Sequence, residues 1–452
     1  MTPRILLTAA ASGAGKTTVT CALLQMLVNR GYKPMACKSG PDYIDPMFHS
    51  RIIGAKSGNL DLFFHDVPTA RYLLEHNSIG CDITVLEGAM GFYDGIGLSS
   101  DASAYALARA TQTPVVLVLD GRGSSLSLCA VVEGLQHFLP ESGVQGVILN
   151  RVSPMFYPRL KGLLEERCGV KVYGYLPNLP GCSLESRHLG LVTPEDVKDL
   201  RDKLGQLAVA GEKGLDLEGL LNLAQTAPTL YAPPPPMPSP VKEKPVIAIA
   251  RDEAFCFYYK DDLRLMEELG ATFRFFSPLR DEKLPPCDGL YLGGGYPELW
   301  AQTLSENETM RRQIRRRVGE GLPTVAECGG FLYLQDQLTD EEGQSWPMAR
   351  VLPGKGYGTK RLSRFGYVTL TARWDNLLCR KGEQLRGHEF HYWDSDQPGF
   401  SFRAEKPQSD RGWDCVWATE YLYAGFPHLS FYATPSIAAN FLKAAAHKRN
   451  LR

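Results

Sequence analysis

A chain of 452 residues exceeds the roughly 100 to 200 residues of a single domain, so more than one core is expected. With 44% hydrophobic and 22% charged residues it has the apolar material for packed cores, which excludes wholesale disorder. Lys plus Arg (49) against Asp plus Glu (50) leave a formal charge of -1, so no global field draws nucleic acid or an anionic membrane. Any anionic ligand has to be held locally.

In chain order, the opening run Ile5-Leu6-Leu7-Thr8 is too short for a signal peptide and passes directly into a glycine-rich loop, so it reads as a core strand. No apolar stretch approaches the roughly 20 residues that cross a bilayer. Short β-branched runs at 4–8, 34–37, 83–86, 115–119, 147–149 and 172–175 alternate with helical patterns, as in a mostly parallel sheet covered by helices. Residues 227–244 are too rich in proline for helix or sheet and predict a linker. Beyond it the alternation restarts at 246–249, 271–276, 289–292 and 324–326. The expected fold is therefore α/β, with two doubly wound domains at 1–226 and 245–452. The 11 cysteines form no Cys-x-x-Cys pair and no Cys/His cluster at zinc spacing, which argues against disulfides and structural zinc and for a reducing cytoplasmic setting. The run Arg311, Arg312, Arg315, Arg316 and Arg317 reads as the solvated face of a helix.

Ser12-Gly13-Ala14-Gly15-Lys16-Thr17-Thr18 stands between a strand and a helix, where glycine N–H groups, a lysine, a hydroxyl and a helix N-terminus cradle phosphates. It is a variant phosphate loop, with Ala10 in place of the usual first glycine. Glu87, ending an apolar strand, and Asp42 and Asp45, following another, should reach the same sheet edge and serve a metal. Asp94 is similarly placed, although its loop could simply need a turn carboxylate. In the second half, Thr-Val-Ala-Glu-Cys328-Gly329-Gly330 breaks a strand into a sharp turn. That pattern exposes a nucleophile, places it at a helix N-terminus expected to lower its pKa, and offers N–H groups to an oxyanion. Gly294, in Leu-Gly-Gly-Gly-Tyr-Pro-Glu, is a second source of such groups. The general base is one of His388, His391 and His428, which spacing alone does not separate.

Taken together with Lys-Ser-Gly-Pro-Asp-Tyr-Ile-Asp-Pro, Glu-Gly-Ala-Met-Gly-Phe-Tyr-Asp-Gly, Arg187-His188-Leu189-Gly190-Leu191 and Gly-His-Glu-Phe-His-Tyr, these motifs resemble the cobyrinate a,c-diamide synthase family over nearly the whole chain. The resemblance implies a dethiobiotin-synthetase-like, P-loop NTPase-like first domain and a class I type glutamine amidotransferase domain after the linker. It implies ATP- and glutamine-dependent amidation of the a and c acetates of a corrin, through an acyl phosphate. By the family's pattern Cys328 is the nucleophile and His428 its base, with Gly294 and Gly329 toward the oxyanion. Gly13, Gly15, Lys16, Thr17 and Thr18 would hold ATP, and Asn150 its adenine. Thr17, Glu87 and Asp45 would surround Mg2+, and Asp42, Tyr43, Asp45, Asp94 and His188 would lie by the substrate carboxylate. The implied partners are small molecules (a tetrapyrrole carboxylate, ATP and glutamine) with no nucleic acid and no membrane, and the assembly expected is a homodimer.

Glutaminases of this class often carry a Glu two residues after the histidine, where this chain has Ser430. Either another group such as Glu389 orients His428, or the pair works without a third member. Hydrogenobyrinate and nickel-sirohydrochlorin are competing substrates, since the motifs read carboxylate and ATP rather than the ring. A partition-type P-loop ATPase is the reading from another class. Its signature lysine, five residues before Lys16, is here Ala11, and it lacks a glutaminase domain.

Overall fold

Strands whose two faces are both apolar need cover on both sides, and this requirement organises each half of the chain. The computed structural model describes residues 2–182, 194–362 and 364–450. The chain divides into two compact units, Met1–Pro235 and Pro236–Arg452. Residues 228–241, around that division, form neither helix nor strand.

In the first unit β1 (Arg4–Thr8), β2 (Pro34–Ser39), β3 (Lys56–Leu60), β4 (Ile83–Glu87), β5 (Val115–Asp120), β6 (Val144–Asn150) and β7 (Lys171–Leu176) form one sheet in the order β3-β2-β4-β1-β5-β6-β7. Every neighbouring pair is parallel. All residues of β1, β2 and β4 are buried, as covering helices on both faces demand. Parallel pairing also brings the carboxyl ends of the strands to one edge, where Lys38 stands opposite Glu87 and Asp120 opposite Asn150. The edge strand β3 is absent from the sequence expectations because Lys-Ser-Gly-Asn-Leu has no β-branched residue. Its pairing with β2 over the whole strand holds it in the sheet instead.

The second unit is built on β8 (Val246–Ala250), β9 (Thr272–Phe276), β10 (Gly289–Leu292) and β11 (Thr324–Glu327), extended by a parallel strand at Leu422–Gly425 and an antiparallel edge at Trp417–Ala418. The doubly wound core is as expected, but a five-stranded antiparallel sheet also occurs, centred on Arg364–Ala372 and Gln384–His391. Gln384–His391 carries the period-two burial of a strand with one covered face. The short strand His428–Leu429 pairs with it, His388 opposite His428. This sheet therefore delivers His428 to the carboxyl edge of the parallel one.

The arginine run lies on helix Glu308–Gly319. Arg312 and Arg316 make exposed ion pairs with Glu308 and Glu320, as a solvated face should, whereas Arg311 and Arg317 turn back to backbone carbonyls of Ser305 and Cys287.

A buried charge ties the end of the first unit to its first strand. Arg4, only 1% exposed, donates to the carbonyl of Thr111 at 2.9 Å and that of Pro228 at 2.7 Å, and to the Thr113 hydroxyl at 3.2 Å. Arg4→Met keeps the aliphatic bulk but strands those carbonyls. It should lower the unfolding free energy by about 2 to 4 kcal/mol in urea titrations, and a loss below about 0.5 kcal/mol would contradict this bonding.

Candidate active site

The phosphate loop follows β1 and leads into α1 (Lys16–Asn29). Gly15 is required there on two counts. Its φ is 94°, and a Cβ would lie 2.0 Å from the side-chain nitrogen of Asn150, which donates to the Ala14 carbonyl at 3.0 Å. Gly13 also has positive φ. Arg151 braces the loop by donating to the Gly13 carbonyl at 3.0 Å and to Asp120 at 2.7 Å. The Lys16 ammonium donates to the carbonyls of Ala11 and Met90, and burial, then the Lys38 charge, holds its pKa below the ordinary lysine value.

Facing the loop is a buried cluster of charge. Thr17 donates to Glu87 at 2.6 Å, and Lys38 donates to the same Glu87 oxygen at 2.7 Å while lying 2.6 Å from Asp45. His49 Nε2 is 3.9 Å from the other Glu87 oxygen. Burial alone would lower the Lys38 pKa, but Glu87, Asp45 and Asp42 together drive it well above the ordinary range, so Lys38 stays charged. Burial works to raise the Asp45 carboxyl, which Lys38 and then His49 bring below its usual value. Asp42 is pushed up to about 6, by burial and then by Asp45. Its carboxylate accepts from the backbone of Ile44 at 2.8 Å and of Asp45 at 3.1 Å, shaping the turn into the short helix that Tyr43 precedes. Lys16, Thr17, Lys38, Asp42, Glu87 and Asn150 line one cavity of about 540 Å3, together with Gly13, Gly15 and Thr18 of the loop. Asp94 is exposed and accepts from the Gly91 N–H at 3.0 Å. His188 and its motif lie outside the described residues.

In the second unit Cys328 follows β11 with φ 47° and ψ -103°, a conformation rare outside glycine, and the helix after it spans Gly329–Leu334. The strained turn has the form of a nucleophile elbow, and the Cys328 N–H donates to the Gly425 carbonyl at 2.7 Å. The glycine loop after β10 closes on it. A Cβ on Gly294 would lie 2.4 Å from His428 Cε1, and one on Gly329 would meet Pro297 at 2.9 Å and the Gly295 nitrogen at 3.2 Å. The glycine loop thus packs against His428 at Gly294 and against the turn after Cys328 at Gly295. The expected lowering of the thiol pKa does not occur. Burial, and after it Glu298, pushes the Cys328 thiol up, more than the hydrogen bond from the Gly329 backbone offsets. Thiolate formation there needs a proton acceptor.

Two family models divide the chain as its two units do. A CobQ/CobB/MinD/ParA nucleotide binding domain matches residues 5–191, and a CobB/CobQ-like glutamine amidotransferase domain matches residues 246–434. Cobyrinate a,c-diamide synthase of Caldanaerobacter subterraneus is 40% identical over 95% of this chain and 96% of its own. Those of Salmonella typhimurium (38%; 96% of each chain) and Thermoplasma volcanium (37%; 98% and 97%) are similar to it over the same extent. This chain belongs to the cobyrinate a,c-diamide synthase family. Membership makes it an amide-forming ligase with an ATP-using nucleotide-binding domain and a glutamine amidotransferase domain. The second match also removes the partition-type reading, which has no place for such a domain.

Within that family assignment, two residues of the site, Lys38 and His49, have no role in the sequence reading. Lys38 belongs to one of the motifs that carry the resemblance, and a lysine in a strand with every residue buried signals a buried ion pair. His49 carries no such signal. Glu389, one conceivable choice for orienting His428, lies 3.2 Å from His391 Nε2, whose ring stacks on Phe426. Ser430 is buried two residues beyond His428 and offers only a neutral hydroxyl. Losing one neutral hydrogen bond of about 0.5 to 1.5 kcal/mol should slow glutamine hydrolysis tenfold or less in Ser430→Ala, whereas His428→Ala should cost far more. Glutaminase turnover with ATP and acceptor present measures both, and equal collapse would make Ser430 an essential third member.

Proposed function

We propose that this protein uses ATP and glutamine to convert the a and c acetate carboxylates of cobyrinate to amides. The observation that carries the reading is the cavity in which phosphate-loop residues Lys16 and Thr17 face Lys38, Asp42 and Glu87. It supplies cations for phosphate and for a substrate carboxylate beside carboxylates that suit a metal.

In the first unit, Gly13, Gly15, Lys16 and Thr18 hold the phosphates of ATP, with Asn150 toward the adenine. A ring carboxylate oxygen attacks the γ-phosphorus, the bond to ADP breaks, and an acyl phosphate forms. Lys16 neutralises the charge that moves with the phosphoryl group. Thr17 and Glu87, already 2.6 Å apart, are the residues that would hold Mg2+, an ion that takes one or two carboxylates and completes its shell with phosphate oxygens and water. Bound there it would offset phosphate charge. Among the described residues no set of three or more His, Cys, Asp and Glu is arranged for a metal, which fits an ion that arrives with its nucleotide. Asp45, held by Lys38, then serves to fix that lysine, and Asp42, Tyr43, Asp94 and His188 belong to the carboxylate-binding side.

In the second unit His428 takes the Cys328 proton, the thiolate attacks the glutamine amide carbon, and N–H groups at Gly294 and Gly329 receive the oxyanion. Ammonia leaves with the proton from His428, and water hydrolyses the thioester. The ammonia attacks the acyl phosphate, giving the amide and inorganic phosphate. All substrates are small molecules, the active protein is a homodimer, and its place is the cytoplasm.

Purified enzyme offered cobyrinate, hydrogenobyrinate and nickel-sirohydrochlorin in parallel, with ATP and glutamine, should convert cobyrinate to the diamide by mass spectrometry. Preference for either competitor would reassign the ring. Cys328→Ala should lose glutamine-dependent synthesis and keep synthesis from ammonium salts, whereas Lys16→Ala should lose both. Unchanged ammonium-dependent turnover in Lys16→Ala would contradict the role of the phosphate loop.

A further inference from the structure

The chain lacks a carboxylate two residues after His428, yet a carboxylate does reach that histidine, from the residue immediately before the nucleophile. Glu327 ends β11 with 1% of its surface exposed. Its Oε2 lies 3.7 Å from His428 Nδ1 and accepts the Tyr291 hydroxyl at 3.1 Å, while its Oε1 accepts the N–H of Leu429 at 3.1 Å. The contact with Leu429 fixes the backbone that carries the histidine, so one side chain sets both the position of residue 428 and the environment of its ring.

We infer that Glu327 is the positioning residue of the glutaminase, taking the part that a downstream glutamate plays in a Cys-His-Glu triad. A carboxylate beside Nδ1 favours the tautomer with its proton on that nitrogen. The Nε2 lone pair is then left to accept the thiol proton, and the imidazolium that results gains an opposite charge at ion-pair distance. A buried thiol whose ionisation burial opposes depends on that arrangement more than an exposed one would. Tyr291 completes the device. Burial, then the charge of Glu327, keeps its phenol protonated, so it is a permanent donor to Oε2 and holds that oxygen in place. Glu389 is engaged instead with His391 Nε2, at 3.2 Å.

This inference rests on the reading of Cys328 and His428 as the glutaminase pair, and the experiment separates the two. Glutamine hydrolysis and ammonium-supported synthesis are measured on the full chain for Glu327→Gln, Tyr291→Phe, Ser430→Ala and Cys328→Ala. Glu327→Gln keeps an acceptor for Leu429 but turns an amide toward Nδ1. It should lower kcat for hydrolysis by about a hundredfold or more, with KM for glutamine within about threefold and ammonium-supported synthesis retained. Tyr291→Phe should lower kcat by about fivefold to tenfold, again at constant KM. If Glu327→Gln stays within about threefold of the parent kcat, the inference is overturned. Should Glu327→Gln fail to fold, losing ammonium-supported synthesis as well, Tyr291→Phe decides: a fall in kcat alone supports the assignment and no change refutes it. Hydrolysis retained in Cys328→Ala would instead overturn the reading of the pair itself.

Discussion

A carboxylate buried at the end of a strand needs hydrogen-bonding or charged partners, because removing its hydration costs several kcal/mol. Both sites of this protein are organised around that constraint. Glu87 ends β4 and is paired by Thr17 and Lys38, and Glu327 ends β11 and is paired by Tyr291, the Leu429 N–H and His428. In each case the partners that satisfy the carboxylate are groups to which the proposed chemistry gives a part. Their geometry is then set by the same free energy that keeps the glutamate buried.

The constraint also explains why sheet direction matters more than any single motif. Parallel pairing places Lys38 beside Glu87, and the phosphate loop leaves the same edge after β1. In the second unit, β10, β11 and the strand at Leu422–Gly425 run in one direction, so the glycine loop, Cys328 and the segment leading to His428 all emerge at one edge. The antiparallel sheet then supplies what parallel strands alone would not, by pairing His388 with His428 and fixing the histidine from its other side. His388 is itself held neutral, its pKa pushed down to about 3 by burial and then by His428, so it adds no charge beside the His428 ring.

Much of this was legible in the sequence for physical reasons. Apolar runs covered on both faces have to be core strands, and a glycine-rich loop between strand and helix has few uses besides phosphate. The resemblance carried the assignment of His428, which spacing could not. What stayed hidden depended on tertiary pairing. Lys-Ser-Gly-Asn-Leu forms an edge strand with no local preference for one. The hairpin of Arg364–Ala372 and Gln384–His391 mixes exposed aromatics with buried polar groups, which blurs its alternation. Glu87 in Ile-Thr-Val-Leu-Glu was picked out as a charge closing an apolar strand, yet Thr-Val-Ala-Glu327 carries the same signal. The adjacent Cys328 and its two glycines mask that signal, and Glu327 lies buried beside His428.

The central proposed step is activation of a substrate carboxylate by ATP before ammonia arrives. Cobyrinate carrying 18O in its acetate carboxylates, incubated with ATP and amide-15N glutamine, tests this directly by mass spectrometry of the inorganic phosphate and of the corrinoid product. An acyl phosphate requires one 18O atom in phosphate for each 15N amide formed, because the carboxylate oxygen that attacked ATP leaves with phosphorus. Amide formation with no 18O in phosphate would contradict it.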